Sequence, residues 1–275
     1  MNFLGVWVVL THTFKESIKA KWLIMFTIVF LLLAVNLPTL VLIAALYIPP
    51  NYLQVFLTSL VALTFPFIPL LALPMASTSI VDERESGTLQ YLLSNPITKI
   101  EFLLGRSLGL ILATSAVLFL GFGIAAGFTY SIDISKYSSV AAVTLVGVLL
   151  NGIMIGIALI VSMVSRRKAT ALSIGIFIWF LFTAISDLGF ASVIINLTSS
   201  GFLSVVVILL NPTQSAQTLA AIQVQGGINQ LGSIGLILNH YLGSNLGLVL
   251  TLSLLIWLAV FITIPFFLFR HQDPI

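Results

Sequence analysis

The chain has 275 residues, of which 11 are Lys or Arg and 8 are Asp or Glu, so 7% are charged against 59% hydrophobic. A soluble chain of this length would carry about 69 charges, and a mean hydropathy of +1.18 leaves too little polar surface to coat a water-facing globule, so a soluble enzyme is excluded in favour of an all-α polytopic membrane protein. The absence of cysteine excludes disulfides and thiolate chemistry, and a net charge of +3 is too small for a nucleic-acid surface.

From Val6 to Lys19 the residues Trp7, Leu10 and Phe14 recur at helical spacing, with His12, Lys15, Glu16 and Lys19 on a polar side. The pattern predicts a helix in the membrane interface, residues 1–21, with a disordered amino terminus as the alternative. Six apolar stretches of spanning length follow: Trp22 to Leu46, Val55 to Val81, Phe102 to Tyr130, Ser139 to Val164, Ala169 to Ile195 and Gly243 to Phe269. Gly201 to Leu210 is equally apolar but only ten residues long, which suits a re-entrant or interfacial segment better than a seventh crossing.

With six spans, ten of the eleven basic residues fall on one side and only Lys136 on the other. The positive-inside rule makes the basic side cytoplasmic, with both termini there, in a cell membrane.

Between the second and third spans lies the densest charge in the chain, with Asp82, Glu83, Arg84, Glu85 and Lys99 within one short connection. Gly87 can end the preceding helix in a left-handed conformation. Leu89, Leu92 and Leu93 then form an i, i+3, i+4 stripe on a short helix stopped by Asn95-Pro96. A short amphipathic helix between two spans can pass a push from a soluble partner into the membrane, so 82–101 is the candidate coupling segment; a plain surface turn would not need this apolar periodicity. The connection 196–242 contains Asn211-Pro212-Thr213, a helix start with Pro at the first turn, then an amphipathic rhythm from Gln214 to Gln225 and Gly226-Gly227. It reads as an outer gate or docking surface, or as a loosely ordered loop. The whole of 1–275 is taken as one membrane domain.

Enzyme constellations are missing from the sequence. His12, His240 and His271 are far apart, and there is no phosphate-binding G-x-x-x-x-G-K-[ST], so no bound cofactor or metal is expected and energy must come from a partner or an ion gradient. Asp187 is the intramembrane carboxylate, open to reading as a proton relay in a secondary carrier or channel, or as a structural hydrogen-bonding group.

The run Glu85-x-Gly87-Thr88-Leu89-x-x-Leu92-Leu93-x-x-Pro96, followed by Glu101 and Leu104-Gly105-Arg106, resembles the signature of ABC-2 type transporter permeases. Within that family Trp179-Phe180-Leu181-Phe182, Asp187-Leu188 and Leu210-Asn211-Pro212-Thr213 resemble the NosY-like permeases linked to maturation of the copper enzyme nitrous oxide reductase; Thr78 and Gln217 depart from that pattern. The resemblance implies a homodimeric permease with two ATP-binding subunits beneath it, ATP-Mg being held by those subunits and not by this chain. It also implies that Arg84, Glu85, Gly87, Thr88, Leu89, Leu92, Leu93, Pro96, Glu101 and Gly105 belong to the coupling segment. Transport of a substrate, or an ATP-driven action on an extracytoplasmic partner through 196–242, both remain open. Membrane lipid is the other expected partner. Gly121, Gly123 and Gly127 in the third span, with Gly152 and Gly156 in the fourth, permit close packing between protomers or within one.

Overall fold

The structure, a computed structural model, describes residues 3–45, 52–88, 97–132, 137–187, 201–224 and 232–271. The described elements are all helical. They run α1 (Phe3–Lys19), α2 (Lys21–Ala45), α3 (Tyr52–Thr64), α4 (Phe67–Glu85), α5 (Lys99–Ile132), α6 (Tyr137–Val164), α7 (Lys168–Asp187), α8 (Gly201–Leu210), α9 (Pro212–Gln223), α10 (Gly232–Leu242) and α11 (Leu246–His271), with a 3-10 turn at Gly243–Asn245.

The six expected spans correspond to α2, α3 with α4, α5, α6, α7, and α10 with α11. By length and composition Gln54–Glu85, Lys99–Gly127, Ser138–Val164 and Gly235–Arg270 can each cross a membrane. Two bent pairs, α1 with α2 at 63° and α8 with α9 at 104°, bring the count to six if each is one span. Lys168–Thr183 is a shorter apolar helix.

The bundle is built around α6, the most enclosed of the long helices, which packs against α4, α5, α9 and α11. Lipid tails are as apolar as leucine, so helices associate here through close packing and hydrogen bonds. Small residues on α6 allow the approach. A Cβ on Gly156 would lie 2.4 Å from the Phe261 carbonyl of α11, and one on Gly152 would meet Leu258 at 3.1 Å. Phe261 is the residue four before Pro265, whose missing N–H leaves that carbonyl without its usual helical donor. On α5, Gly121 is covered by the Phe30 ring, whereas a Cβ on Gly123 or Gly127 would meet nothing within 4 Å. Gly121, Gly152 and Gly156 therefore serve packing inside the protomer. Asn151 of α6, fully buried, donates to Thr114 Oγ1 at 2.8 Å and Ser115 Oγ at 3.1 Å, tying α6 to α5.

Two breaks in helical backbone are answered by side chains, as an apolar solvent requires. At the α3–α4 break the Pro66 carbonyl accepts the Trp179 indole N–H at 3.0 Å. At the α8–α9 turn, Asn211 Oδ1 accepts the N–H groups of Thr213 (3.0 Å) and Gln214 (3.4 Å), capping α9, while its amide donates to the Phe182 carbonyl at 3.0 Å. Pro212 cannot donate to the Ile208 carbonyl four residues back, which instead takes the Ser215 hydroxyl at 2.7 Å. The Leu209 carbonyl, passed over by Thr213, accepts the Trp257 indole at 3.0 Å and the Ser253 hydroxyl at 3.2 Å. Trp257 stands near the middle of the 26-residue α11, so this turn sits deep in the bundle.

One expectation changes. The stretch beginning at Gln214 is not an amphipathic surface helix: Thr213, Gln214, Ser215 and Thr218 of α9 are all buried, because α9 is enclosed by α3, α6, α7, α8 and α11. On α1, the face toward the protein is Val6, Val9, Thr13 and Ser17, while Trp7 is 55% exposed. The narrow side chains face α5 and the indole is left at the membrane boundary, where its mixed polarity suits it.

Asn211→Ala should lower stability by about 1–2 kcal/mol, the usual value of a cap, read as a lower thermal unfolding midpoint of the purified chain.

Candidate functional site

The charged end of α4 is where the sequence concentrates its polar residues, and each described one has a defined partner. α4 closes at Glu85, with the Ser86 N–H on the Asp82 carbonyl at 3.0 Å. Gly87 then turns the chain at φ +74°, a conformation that costs side-chain-bearing residues about 1–2 kcal/mol. The Thr88 hydroxyl reaches back to the Glu83 carbonyl at 3.2 Å and lies 2.8 Å from Ser86 Oγ. Leu89, Leu92, Leu93 and Pro96 lie outside the described residues.

Arg84 and Glu85 face the α6–α7 turn. Arg84 Nη1 donates to the carbonyls of Met163 (3.1 Å) and Ser165 (3.4 Å) at the end of α6, and Glu85 Oε2 accepts the Lys168 N–H at 3.1 Å at the start of α7. Cation on a carboxyl end and anion on an amino end both complement the helix dipoles. Lys168 Nζ also pairs with Asp82 at 2.7 Å, and Ser162 Oγ accepts the N–H groups of Ile80 and Val81 at 2.9 and 3.1 Å. The end of α4 and the α6–α7 turn are therefore tied together.

Next to this staple stands Arg106 of α5, whose side chain is 7% exposed. Its Nη1 pairs with Glu83 Oε1 of α4 at 2.8 Å and with Glu16 Oε2 of α1 at 3.1 Å, and its Nη2 donates to the Ser79 carbonyl at 2.9 Å. A fourth, longer contact reaches Thr13 Oγ1 at 3.5 Å. A planar fork can serve two other helices at once in a way that a lysine ammonium cannot. Glu83 Oε2 and Arg106 Nε are buried and have no protein partner, so the node retains polar capacity. Gly105 makes the geometry feasible, because a Cβ there would lie 2.6 Å from Val9 Cβ and 2.8 Å from the Val6 carbonyl. α1 thus lies directly on α5.

Glu101, expected in the coupling segment, starts α5. Its Oε2 accepts the Thr98 N–H at 3.0 Å while the Thr98 hydroxyl accepts the Glu101 N–H at 3.3 Å, a reciprocal capping box. It is 2% exposed and lies beneath Gly5 of α1.

Thr88, Glu101 and Gly105 thus gather with Arg84, Glu85 and Gly87 at the basic end. Asn211 and Pro212 lie apart, at the α8–α9 turn. Asp187 is the last residue of α7 and its side chain lies outside those described. Sequence reasoning did not single out Glu16, Glu83 and Arg106 as a set. The available signal was Arg106 itself, a charge a few residues inside an apolar run, which demands a carboxylate within reach. Among the described residues no group of three His, Asp or Glu side chains converges to hold a metal ion.

Comparison with known proteins places these features in context. The family pattern described as ABC-2 family transporter protein matches residues 7–274. A protein of Stutzerimonas stutzeri named "Probable ABC transporter permease protein NosY" is 26% identical over 278 residues, spanning 97% of this chain and 98% of that protein. One of the same name from Pseudomonas aeruginosa is 28% identical over 221 residues, spanning 76% and 78%.

Removing one member of a buried ion pair leaves an uncompensated charge. Arg106→Met should therefore cost about 3–5 kcal/mol, and adding Glu83→Leu should restore most of it. Thermal unfolding of both single variants and the double variant checks this.

Proposed function

We propose that this chain, which belongs to the ABC-2 family of transporter proteins, couples ATP hydrolysis on separate ATP-binding subunits to events in its own membrane helices. It is a multi-pass membrane permease subunit. In this reading two copies pair, two ATP-binding subunits holding ATP-Mg dock beneath them, and the basic end of the bundle faces the cytoplasm.

The observation that carries the proposal is the Arg106 node. The segment 82–101 joins α4 to α5, and Arg106 binds α4 and α5 to each other and to α1. A force applied to the segment after Gly87 is transmitted at once to α1 and, through Arg84, Glu85 and Asp82, to the α6–α7 turn. In this reading Leu89, Leu92 and Leu93 anchor that segment in a groove of the partner, between Gly87 and Pro96. Closure of the ATP-binding subunits then shifts a connected block of helices and changes the packing between the two permeases.

The likeness to NosY-named permeases supports a role in copper-enzyme maturation. The output is then export of a cargo or a mechanical action on an extracytoplasmic protein through 196–242. The interior of the bundle supports a small neutral or hydrophobic cargo, or none, over an ionic one: Asn151, Thr114 and Ser115 at the α5–α6 contact and Asn211, Thr213, Gln214, Ser215 and Thr218 around the α8–α9 turn are all uncharged.

Two classes of variant separate docking from transmission. Leu89→Asp with Leu92→Asp should abolish co-purification with the ATP-binding subunit. Glu16→Gln is on an exposed carboxylate, so the complex should assemble but lose most of the permease's effect on ATP hydrolysis. Unchanged co-purification of the first variant would overturn the docking assignment, and an unchanged hydrolysis response in the second would remove the Arg106 node from the path.

A further inference from the structure

Where α5, α6 and α11 meet near the basic end, an apolar cavity of about 80 Å³ remains between them. On the same scale a single water needs roughly 10–15 Å³, so there is room for a run of several methylene groups. The cavity is walled by Leu104, Ser107 and Leu108 of α5, Gly156 of α6, and Ile262 and Pro265 of α11. Two contacts hold it open: the Phe261 carbonyl rests on Gly156 on one side, and Phe102 of α5 stacks on Phe269 of α11, with centroids 6.0 Å apart, on the other.

The lining offers nothing to a polar guest, because the Ser107 hydroxyl is already given to the Leu104 carbonyl at 3.1 Å. Toward the outside it is bordered by Leu108 and Ile262, 41% and 37% exposed, so hydrocarbon can enter laterally. Leu104 to Leu108 follow Lys99 by five to nine residues, and Ile262 and Pro265 precede Arg270 by eight and five. At about 1.5 Å per residue the cavity lies roughly 7–13 Å below those two basic residues, within the ~15 Å depth of one leaflet's hydrocarbon. The Phe102–Phe269 stack brings the helix ends carrying Lys99 and Arg270 side by side. Arg270 is exposed.

We infer that this cavity holds one acyl chain of an anionic phospholipid whose phosphate sits against Arg270. The site depends on the chain lying in a membrane and not on its coupling to ATP. A lipid seated there fills the gap beside α11, the least enclosed of the long helices, and secures it against α5 and α6.

Native mass spectrometry of the purified full-length chain, exchanged into phosphatidylglycerol or phosphatidylcholine of identical acyl chains, tests the assignment. Wild type should retain phosphatidylglycerol in preference to phosphatidylcholine. Arg270→Gln, on the surface, should weaken that retention about five-fold, the worth of one basic residue near an anionic surface. Ser107→Phe should fill the cavity and remove the retained lipid without altering the oligomer. Equal retention of both lipids by wild type, or full retention of phosphatidylglycerol by Ser107→Phe, would overturn the proposal. So would disulfide cross-linking between two Leu108→Cys chains, which assigns the face to a second copy.

Discussion

A guanidinium in an almost water-free setting must find its counter-charge within the protein, and Arg106 finds two, on different helices. That requirement organises the basic end of the bundle. Glu83 reaches Arg106 from the last turn of α4, and Glu16 does so because α1 lies on α5, which Gly105 permits by having no side chain to hold it off. The interfacial helix, the end of the second span and the start of the third are thus located by a single side chain. Replacing such a node with apolar residues often leaves stability intact, so the ionic version gives the chain a particular geometry more than it gives it strength.

The same economy governs the breaks in the helices. Three carbonyls left open by a proline or a turn, those of Pro66, Ile208 and Leu209, take a hydroxyl or an indole from elsewhere in the chain. Polar residues in the spans are accordingly few. The ion-paired end of the bundle and the irregular backbone in the interior draw on different residues.

Much of this was legible in the amino-acid sequence, for identifiable reasons. The spans follow from long apolar runs, the ten-residue helix α8 from a run too short to cross, and the start of α9 from Asn211-Pro212, whose chemistry is local. The surroundings of α9 were not legible. A helix reading Pro-Thr-Gln-Ser-Ala-Gln looks suited to a surface, and only the tertiary structure shows it walled in by five other helices. The inward face of α1 was not assigned by the sequence pattern: close packing on α5 selects the smaller Val6, Val9 and Thr13 and leaves Trp7 outward. Glu101 was noticed through family likeness although Thr98-x-x-Glu101 is itself a helix-start pattern. Arg106 lay in plain view, but its partners, 90 residues away at Glu16 and 23 away at Glu83, could be found only in three dimensions.

The α8–α9 turn has a consequence for how the protein is made. Its Leu209 carbonyl depends on Ser253 and Trp257, residues synthesised more than 40 positions later. When α8 and α9 first leave the ribosome those donors do not yet exist, so the turn cannot take its final place in hydrocarbon until the last helix has been threaded into the bilayer. Biogenesis must therefore keep this stretch in contact with water or the insertion machinery meanwhile, and α11, though mostly facing lipid, is the element whose arrival completes the interior.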